Sequence, residues 1–249
     1  MRLKLIGCEV LYRELCDAVA RSPHQVDIEF LPKGIHDLGG EPMMKEIQAR
    51  VDAVPPGTYD AILLGYGLCG MGLHGLAARH TPLVLPRAHD CIALLLGSRT
   101  RYEEHFQNYP GTYYRSTGWI ERGKDIQQIA QNRTGLGLSL EALVAKYGED
   151  NGHYLYEELT RYRNTYNRMA FIETGLEADN RFEEEARWQA AEQGWRFEKI
   201  QGDLGWLRQL VRGEWRENGF LMVQPGERIR ATWKDDIIRA EDIRSRATV

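Results

Sequence analysis

The sequence predicts an α/β protein built on a parallel, doubly wound sheet of the Rossmann-like type. Two observations lead to this prediction. Short apolar runs without polar interruption, such as Ala61–Leu64 and Pro82–Leu85, are typical of strands that are buried on both faces. The segments between such runs carry apolar residues at helical spacing, and strands that alternate with helices indicate right-handed crossovers in one parallel sheet.

The first 100 residues contain four predicted strands with helices between them. The helix after the first strand is indicated by apolar residues at helical spacing between Val10 and Val19, and Pro23 ends it. The second helix, Pro42–Val54, is closed by the turn sequence PPG. The four strands are Leu3–Ile6, Val26–Leu31, Ala61–Leu64 and Pro82–Leu85.

The segment 101–164 differs in composition, since it is polar and rich in tyrosine. It predicts a helical middle region, with helices near 100–108, 122–131, 138–147 and 150–163. Between the first two helices, GTYYRSTGW predicts a loop or an edge strand. From residue 165 the alternation resumes, with strands at Met169–Glu173, Trp195–Ile200 and Gly219–Val223. We therefore expect an N-terminal lobe at 1–100, the middle region at 101–164 and a second α/β lobe at 165–249.

The composition argues against several classes of function. The chain has 249 residues, a net charge of −4 and an isoelectric point near 6.0, so no basic surface is available for nucleic acid or anionic lipid. No apolar run reaches the roughly 18 residues of a membrane span, and the N-terminus becomes polar too soon for a signal peptide. We expect a cytoplasmic protein that acts on a small-molecule substrate and binds neither nucleic acid nor membrane.

Three cysteines lie where the chain leaves a predicted strand, namely Cys8, Cys69 and Cys91. Open parallel sheets bind ligands at the carboxyl ends of their strands, and helix N-termini favour thiolates. Because zinc and iron–sulfur clusters bind thiolates, we expect these cysteines to hold a zinc ion or, alternatively, an iron–sulfur cluster. They form no C-x-x-C pair, so only the fold can bring them together. A redox-active thiol without metal, or simple burial of the cysteines, are the other interpretations.

Four further residues near these loops are candidates for the site or for the structure around it. Cys16 lies among apolar residues of the first helix, which predicts core packing. His89 and His36 are candidate metal ligands, acid–base groups or hydrogen-bond donors that stabilise their loops. Arg87 is a candidate for orienting a substrate carboxylate or phosphate, and its alternative role is a structural ion pair.

The glycines of the stretch GYGLCG are candidates for cofactor binding. Gly65, Gly67 and Gly70 permit tight turns and a close approach of the main chain to a ligand. The stretch lacks both the G-x-G-x-x-G spacing and the lysine of a phosphate-binding loop, so it gives little support to nucleotide binding.

Five stretches of the chain carry unusual motifs: LIGCEVLYRELC, VDIEFLPKGIHDLG, YDAILLGYGLCG, PLVLPRAHDCIALLLGSRTRY and PGTYYRSTGWIERG. Taken in order over nearly the whole chain, they resemble the domain-of-unknown-function family 1638. Genes of that family often lie near corrinoid-dependent methyltransferases of the trimethylamine type. The resemblance therefore implies one-carbon or methyl-transfer metabolism, with a corrinoid protein or a methyltransferase as partner. No corrinoid-binding D-x-H-x-x-G pattern is present.

Two functions are compatible with these residues. In the first, Cys8, Cys69 and Cys91 bind zinc, which holds a substrate thiol as a nucleophile for methyl transfer, while His89 is a ligand or proton carrier and Arg87 orients the substrate. In the second, the same cysteines hold an iron–sulfur cluster, and the protein assists a corrinoid methyltransferase system as an accessory or electron-transfer protein.

Overall fold

A computed structural model describes residues 1–122, 140–160, 166–232 and 236–244. Residues 123–131 of the predicted helix at 122–131 lie outside these ranges. The described chain divides into two compact units. The first unit comprises Met1–Glu104, Thr174–Glu177 and Gln201–Val249, and the second unit comprises His105–Glu173 and Ala178–Ile200.

The first unit is built on a five-stranded sheet. Its strands are β1 (Arg2–Cys8), β2 (Gln25–Leu31), β3 (Ala61–Gly65), β4 (Leu83–Pro86) and β8 (Phe220–Val223). The strand order is β2-β1-β3-β4-β8, in which β1 to β4 pair in parallel and β8 runs antiparallel to β4. This confirms an α/β fold with a largely parallel sheet. A separate antiparallel pair follows, formed by β9 (Glu227–Ala231) and β10 (Ile238–Asp242).

Helices of the first unit pack on the sheet through apolar faces. They are α1 (Tyr12–Ala20), α2 (Gly40–Asp52), α3 (Cys91–Leu96) and α9 (Gly205–Val211), with short 3₁₀ helices at Glu9–Leu11 and Lys33–Leu38. Met43, Ile47 and Val51 of α2 are buried against strand residues such as Ile62 and Leu64. Helix α1 packs against α9, which also contacts β3 and β4. Helix α4 (Arg99–Asn108) follows α3.

The second unit contains a three-stranded sheet in the order β5-β6-β7. Its elements are β5 (Thr112–Ser116), α5 (Thr117–Glu121), α6 (Leu140–Tyr147), α7 (Glu149–Thr160), β6 (Arg168–Glu173), α8 (Arg181–Glu192) and β7 (Arg196–Gln201). Strands β5 and β6 are parallel. The core of this unit joins β6 to α8 through Met169, Phe171, Phe182, Ala186 and Ala190. Within the described ranges, no helix is both long and apolar enough to cross a bilayer.

The strands of the expected C-terminal lobe are divided between the two units. Of the two alternatives predicted for GTYYRSTGW, a loop or an edge strand, the structure shows the strand, since β5 lies at the edge of its sheet and pairs with β6. Strand β8 instead pairs with β4 of the first unit. The sequence indicates where strands lie through their apolar runs, but these runs carry little information about which strands pair.

The loops that follow β3 and β4 lie against each other in the first unit. The main-chain N–H of Leu68 donates to the carbonyl of Ala88 at 2.9 Å, and that of Cys69 donates to the carbonyl of His89 at 2.7 Å. A Cβ atom on Gly67 would lie 2.6 Å from main-chain atoms of Asp90, which is closer than real contacts allow. Only glycine at position 67 permits this approach.

We predict that Gly67→Ala destabilises the protein by about 2 kcal/mol, because the added methyl group must push the two loops apart. Gly34→Ala is the matched control, since a Cβ atom there would meet no atom within 4 Å, and its cost should stay within about 0.5 kcal/mol. Chemical denaturation of both variants measures the difference. Equal stabilities would show that the loops are not in close contact.

Candidate thiol site at the edge of the sheet

The thiol of Cys69 is buried between the two paired loops. Its main chain has a φ of 45°, in the left-handed region, and Gly70 continues the turn with a φ of 62°. This strained conformation places the sulfur where it accepts hydrogen bonds from the main-chain N–H groups of Gly67 and Cys91. Burial raises the pKa of Cys69 strongly, and the nearby charges of Asp90 and Cys8 raise it further.

Cys8 is the last residue of β1, and its thiol interacts electrostatically with that of Cys69. Burial raises the pKa of the Cys8 thiol to about 11. The N–H of Val10 and the positive charge of Lys33 act in the opposite direction, whereas Glu9 adds to the increase. The structure therefore places two of the predicted cysteines within electrostatic range of each other at the carboxyl end of the parallel strands.

Tyr66 is part of the same site and was missed by the sequence analysis. It follows β3, is 2% exposed, and packs in one apolar cluster with Cys8 and Cys69. Burial, followed by the charges of Cys8 and Cys69, raises the pKa of its hydroxyl strongly. Within the described part of the chain, this hydroxyl has no hydrogen-bond partner. A buried hydroxyl without a partner is costly, so this hydroxyl needs a polar group to contact.

Cys91 contributes to the site through its main chain. It is the first residue of α3 and is buried, and its N–H donates to the sulfur of Cys69. Asp90 caps this helix, because its Oδ1 accepts the N–H groups of Ile92 at 3.0 Å and Ala93 at 3.1 Å. Among the described residues, no group of three or more His, Cys, Asp and Glu side chains is arranged to hold a metal ion. A shared site for all three thiolates stays a prediction.

Arg87 binds main-chain carbonyls of the same unit. Its Nε donates to Glu217 at 3.0 Å and to Phe220 at 3.2 Å, and its Nη1 donates to Asp236 at 3.2 Å and also to Ile238. Partial burial lowers the pKa of this guanidinium. These contacts tie the loop after β4 to the C-terminal strands.

The remaining candidate residues lie at separate places in the first unit. His89 is exposed, and its carbonyl accepts the N–H of Cys69. His36 is partly buried in the 3₁₀ helix Lys33–Leu38. Gly65 allows close packing, since a Cβ atom there would lie 2.8 Å from the side chain of Leu15. Cys16 is partly buried in α1.

Glu14, in the first turn of α1, is a second buried group that the sequence analysis missed. The carboxyl is 1% exposed, and its Oε1 lies 3.2 Å from the hydroxyl of Thr174. Its Oε2 has no partner in the described ranges. Burial raises the pKa of Glu14 to about 7, and the nearby charge of Glu177 adds to the increase. The apolar neighbours of Glu14 in the sequence give no indication of this environment.

The second unit holds a chain of polar contacts that the sequence analysis also missed. The Nδ1 of His105 lies 2.6 Å from the hydroxyl of Tyr114, and its Nε2 lies 3.0 Å from Glu198. The other carboxylate oxygen of Glu198 accepts from Arg168 at 2.8 Å. Residue spacing could not have indicated this network, since its members are far apart in the sequence.

A sheet whose parallel strands end beside a buried thiol, a partly buried thiol and a buried tyrosine defines an α/β protein with a candidate thiol site. The chain belongs to the family described as Protein of unknown function (DUF1638), which matches residues 30–211. This confirms the family resemblance of the sequence motifs. No curated protein and no solved structure matches the chain. Cys69 and Cys91 lie inside the matched range, and Cys8 precedes it.

We predict that the stability of the protein falls as the pH rises from about 4.5 to about 7, because Glu14 keeps its proton in the folded state and loses it in the unfolded state. The unfolded chain then binds fewer protons, so the free energy of unfolding decreases with pH. The full effect is about 3 kcal/mol, and it is complete above the folded pKa of about 7.

Glu14→Gln removes this titration, so its stability relative to the wild type should increase across the same pH range. Glu46→Gln, at an exposed position of α2, is the matched control and should give a constant difference. Denaturant titrations between pH 4 and pH 8 measure both curves. Parallel curves for Glu14→Gln and the wild type would contradict the burial of a titrating carboxyl.

Proposed function

We propose that the first unit carries a metal–thiolate site on Cys8 and Cys69, used in one-carbon metabolism. Within this proposal the protein is a zinc-dependent methyltransferase that acts on a thiol or on a corrinoid-linked methyl group. One observation supports it above the others. Two thiols at the ends of neighbouring strands lie within electrostatic range of each other and of the buried hydroxyl of Tyr66, which has no partner in the described ranges.

The raised pKa values argue against a metal-free reactive thiol. Burial keeps both thiols protonated at neutral pH, and protonated thiols are poor nucleophiles. A bound cation reverses this, since thiolates coordinate it and release their protons. The donors fit zinc, which accepts sulfur ligands readily. When bound, zinc supplies a Lewis acid that activates a substrate thiol.

Several groups of the chain favour the charged form of the site. The N–H groups of Gly67 and Cys91 donate to the sulfur of Cys69, and the positive charge of Lys33 stabilises a thiolate at Cys8. The hydroxyl of Tyr66 is available to donate to a substrate atom. These groups hold negative charge in a buried setting, where each hydrogen bond is stronger than it is in water.

We assign different roles to the two residues that the sequence analysis placed in catalysis. His89 is exposed beside the Cys69 loop, which suits a proton carrier between the site and water. Arg87 uses its Nε and Nη1 on main-chain carbonyls, so its proposed role is to position the loop after β4. The carbonyl contacts favour this role over direct contact with a substrate.

We also propose a doubly wound arrangement for the first unit and a cytoplasmic location. The strand order β2-β1-β3-β4 and the packing of α2 and α9 on strands of this sheet support the former. The four cysteines are free thiols, which is typical of a reducing compartment. The family resemblance favours a corrinoid protein or a methyltransferase as partner.

Elemental analysis of anaerobically purified protein tests the proposal. We predict about one zinc per chain in the wild type, and a loss of most of it in Cys8→Ser and in Cys69→Ser, because each variant removes a thiolate ligand. Cys16→Ser is the matched control and should retain the metal.

Metal contents of Cys8→Ser and Cys69→Ser equal to that of Cys16→Ser would contradict the site. The variant Cys91→Ser tests whether the third thiol is a ligand. A loss of metal in this variant would show that Cys91 is a ligand, and full metal content would show that it is not. Iron with inorganic sulfide and an oxygen-sensitive brown colour would instead support the alternative function, an iron–sulfur accessory protein that uses the same cysteines.

A further inference from the structure

Arg115 of β5 is a buried cation in the second unit. Its residue is 2% exposed, and its Nη2 donates to Oε1 of Gln189 on α8 at 2.7 Å. The Nε and Nη1 groups are buried and have no hydrogen-bond partner within the described part of the chain. Arginine carries its charge at any physiological pH, so the positive charge here is only partly compensated.

The partner of Arg115 is a neutral amide, although a carboxylate lies close by. Gln189 donates through its Nε2 to Oε1 of Glu185 at 3.1 Å, and Glu185 is exposed. The amide therefore links the guanidinium to the carboxylate of Glu185 on α8. The ring of Tyr113 has its centroid 5.6 Å from the Arg115 Cζ, which adds a weak cation–π attraction. A buried charge without an ionic partner is unfavourable, so a further counter-charge is needed.

Thr117 supplies a second unsatisfied group two residues further along the chain. It is 1% exposed, and its hydroxyl has no partner among the described residues. Ser116 between the two has extended backbone, with φ −141° and ψ 170°, so Arg115 and Thr117 project to the same side of the chain. Both lie where β5 ends beside its parallel neighbour β6, and ligands of parallel sheets bind at such ends.

We propose that Arg115 and Thr117 bind an oxyanion, the carboxylate or phosphate group of a small molecule. The guanidinium matches the planar or tetrahedral oxygens of such groups, and the hydroxyl donates an additional hydrogen bond. The anion supplies the missing counter-charge and satisfies the unpartnered donors at once. This site uses residues of the second unit alone and is independent of the thiols of the first unit.

Calorimetric titration of the full chain with inorganic phosphate and with acetate, at constant ionic strength set by chloride, tests this proposal. We expect saturable binding of at least one of the two anions by the wild type, together with a rise in its melting temperature that chloride does not produce. The anion that binds more tightly, phosphate or acetate, identifies the phosphate or the carboxylate as the natural group.

Arg115→Met should abolish this binding while the protein still folds, because a hydrophobic side chain of similar length replaces an unpaired buried charge. Thr117→Val should weaken it roughly tenfold, since one hydrogen bond to a charged ligand is lost. Arg196→Met, at an exposed arginine of the same unit, is the matched control and should bind as the wild type does.

Absence of saturable binding of both anions by the wild type would overturn the proposal, and this outcome does not depend on any variant. Equal affinities of Arg115→Met and Arg196→Met would overturn it as well. Should Arg115→Met fail to fold, the comparison of Thr117→Val with the wild type decides, and unchanged affinity in that variant contradicts the site.

Discussion

The contact between Gly67 and the main chain of Asp90 determines the geometry of the thiol site. With no side chain at position 67, the loops after β3 and β4 come close enough for two main-chain hydrogen bonds, those of Leu68 and Cys69. The same approach places the N–H of Cys91 against the sulfur of Cys69. The left-handed turn at Cys69 is a strained conformation that this packing must hold in place.

Burial affects the neutral and the charged states of this site in opposite ways. It raises the pKa values of both thiols and of the Tyr66 hydroxyl, so the metal-free protein keeps these groups neutral in its core. The same burial strengthens every hydrogen bond to a charged species that enters the site. Under the proposed function, a bound ion supplies the positive charge that allows the thiols to ionise.

The elements of the fold were more predictable from sequence than the pairing of strands or the environment of single side chains. Apolar runs indicate β3 and β4 and the strand ends that the cysteines follow, because both can be recognised from local patterns. The pairing of β8 with β4 and the buried, unpartnered states of Tyr66 and Arg115 depend on residues distant in the sequence. Residue type and spacing carry no signal for such contacts.

The central claim is that Cys8 and Cys69 coordinate the same ion, and zinc X-ray absorption spectroscopy of the zinc-loaded protein tests it most directly. The technique counts the sulfur and the nitrogen or oxygen atoms bound to zinc and measures their distances. The account predicts at least two sulfur atoms at about 2.3 Å from the metal, with one sulfur fewer in each of the single serine variants of these cysteines. A shell of nitrogen and oxygen atoms alone, at about 2.0–2.1 Å, would contradict it.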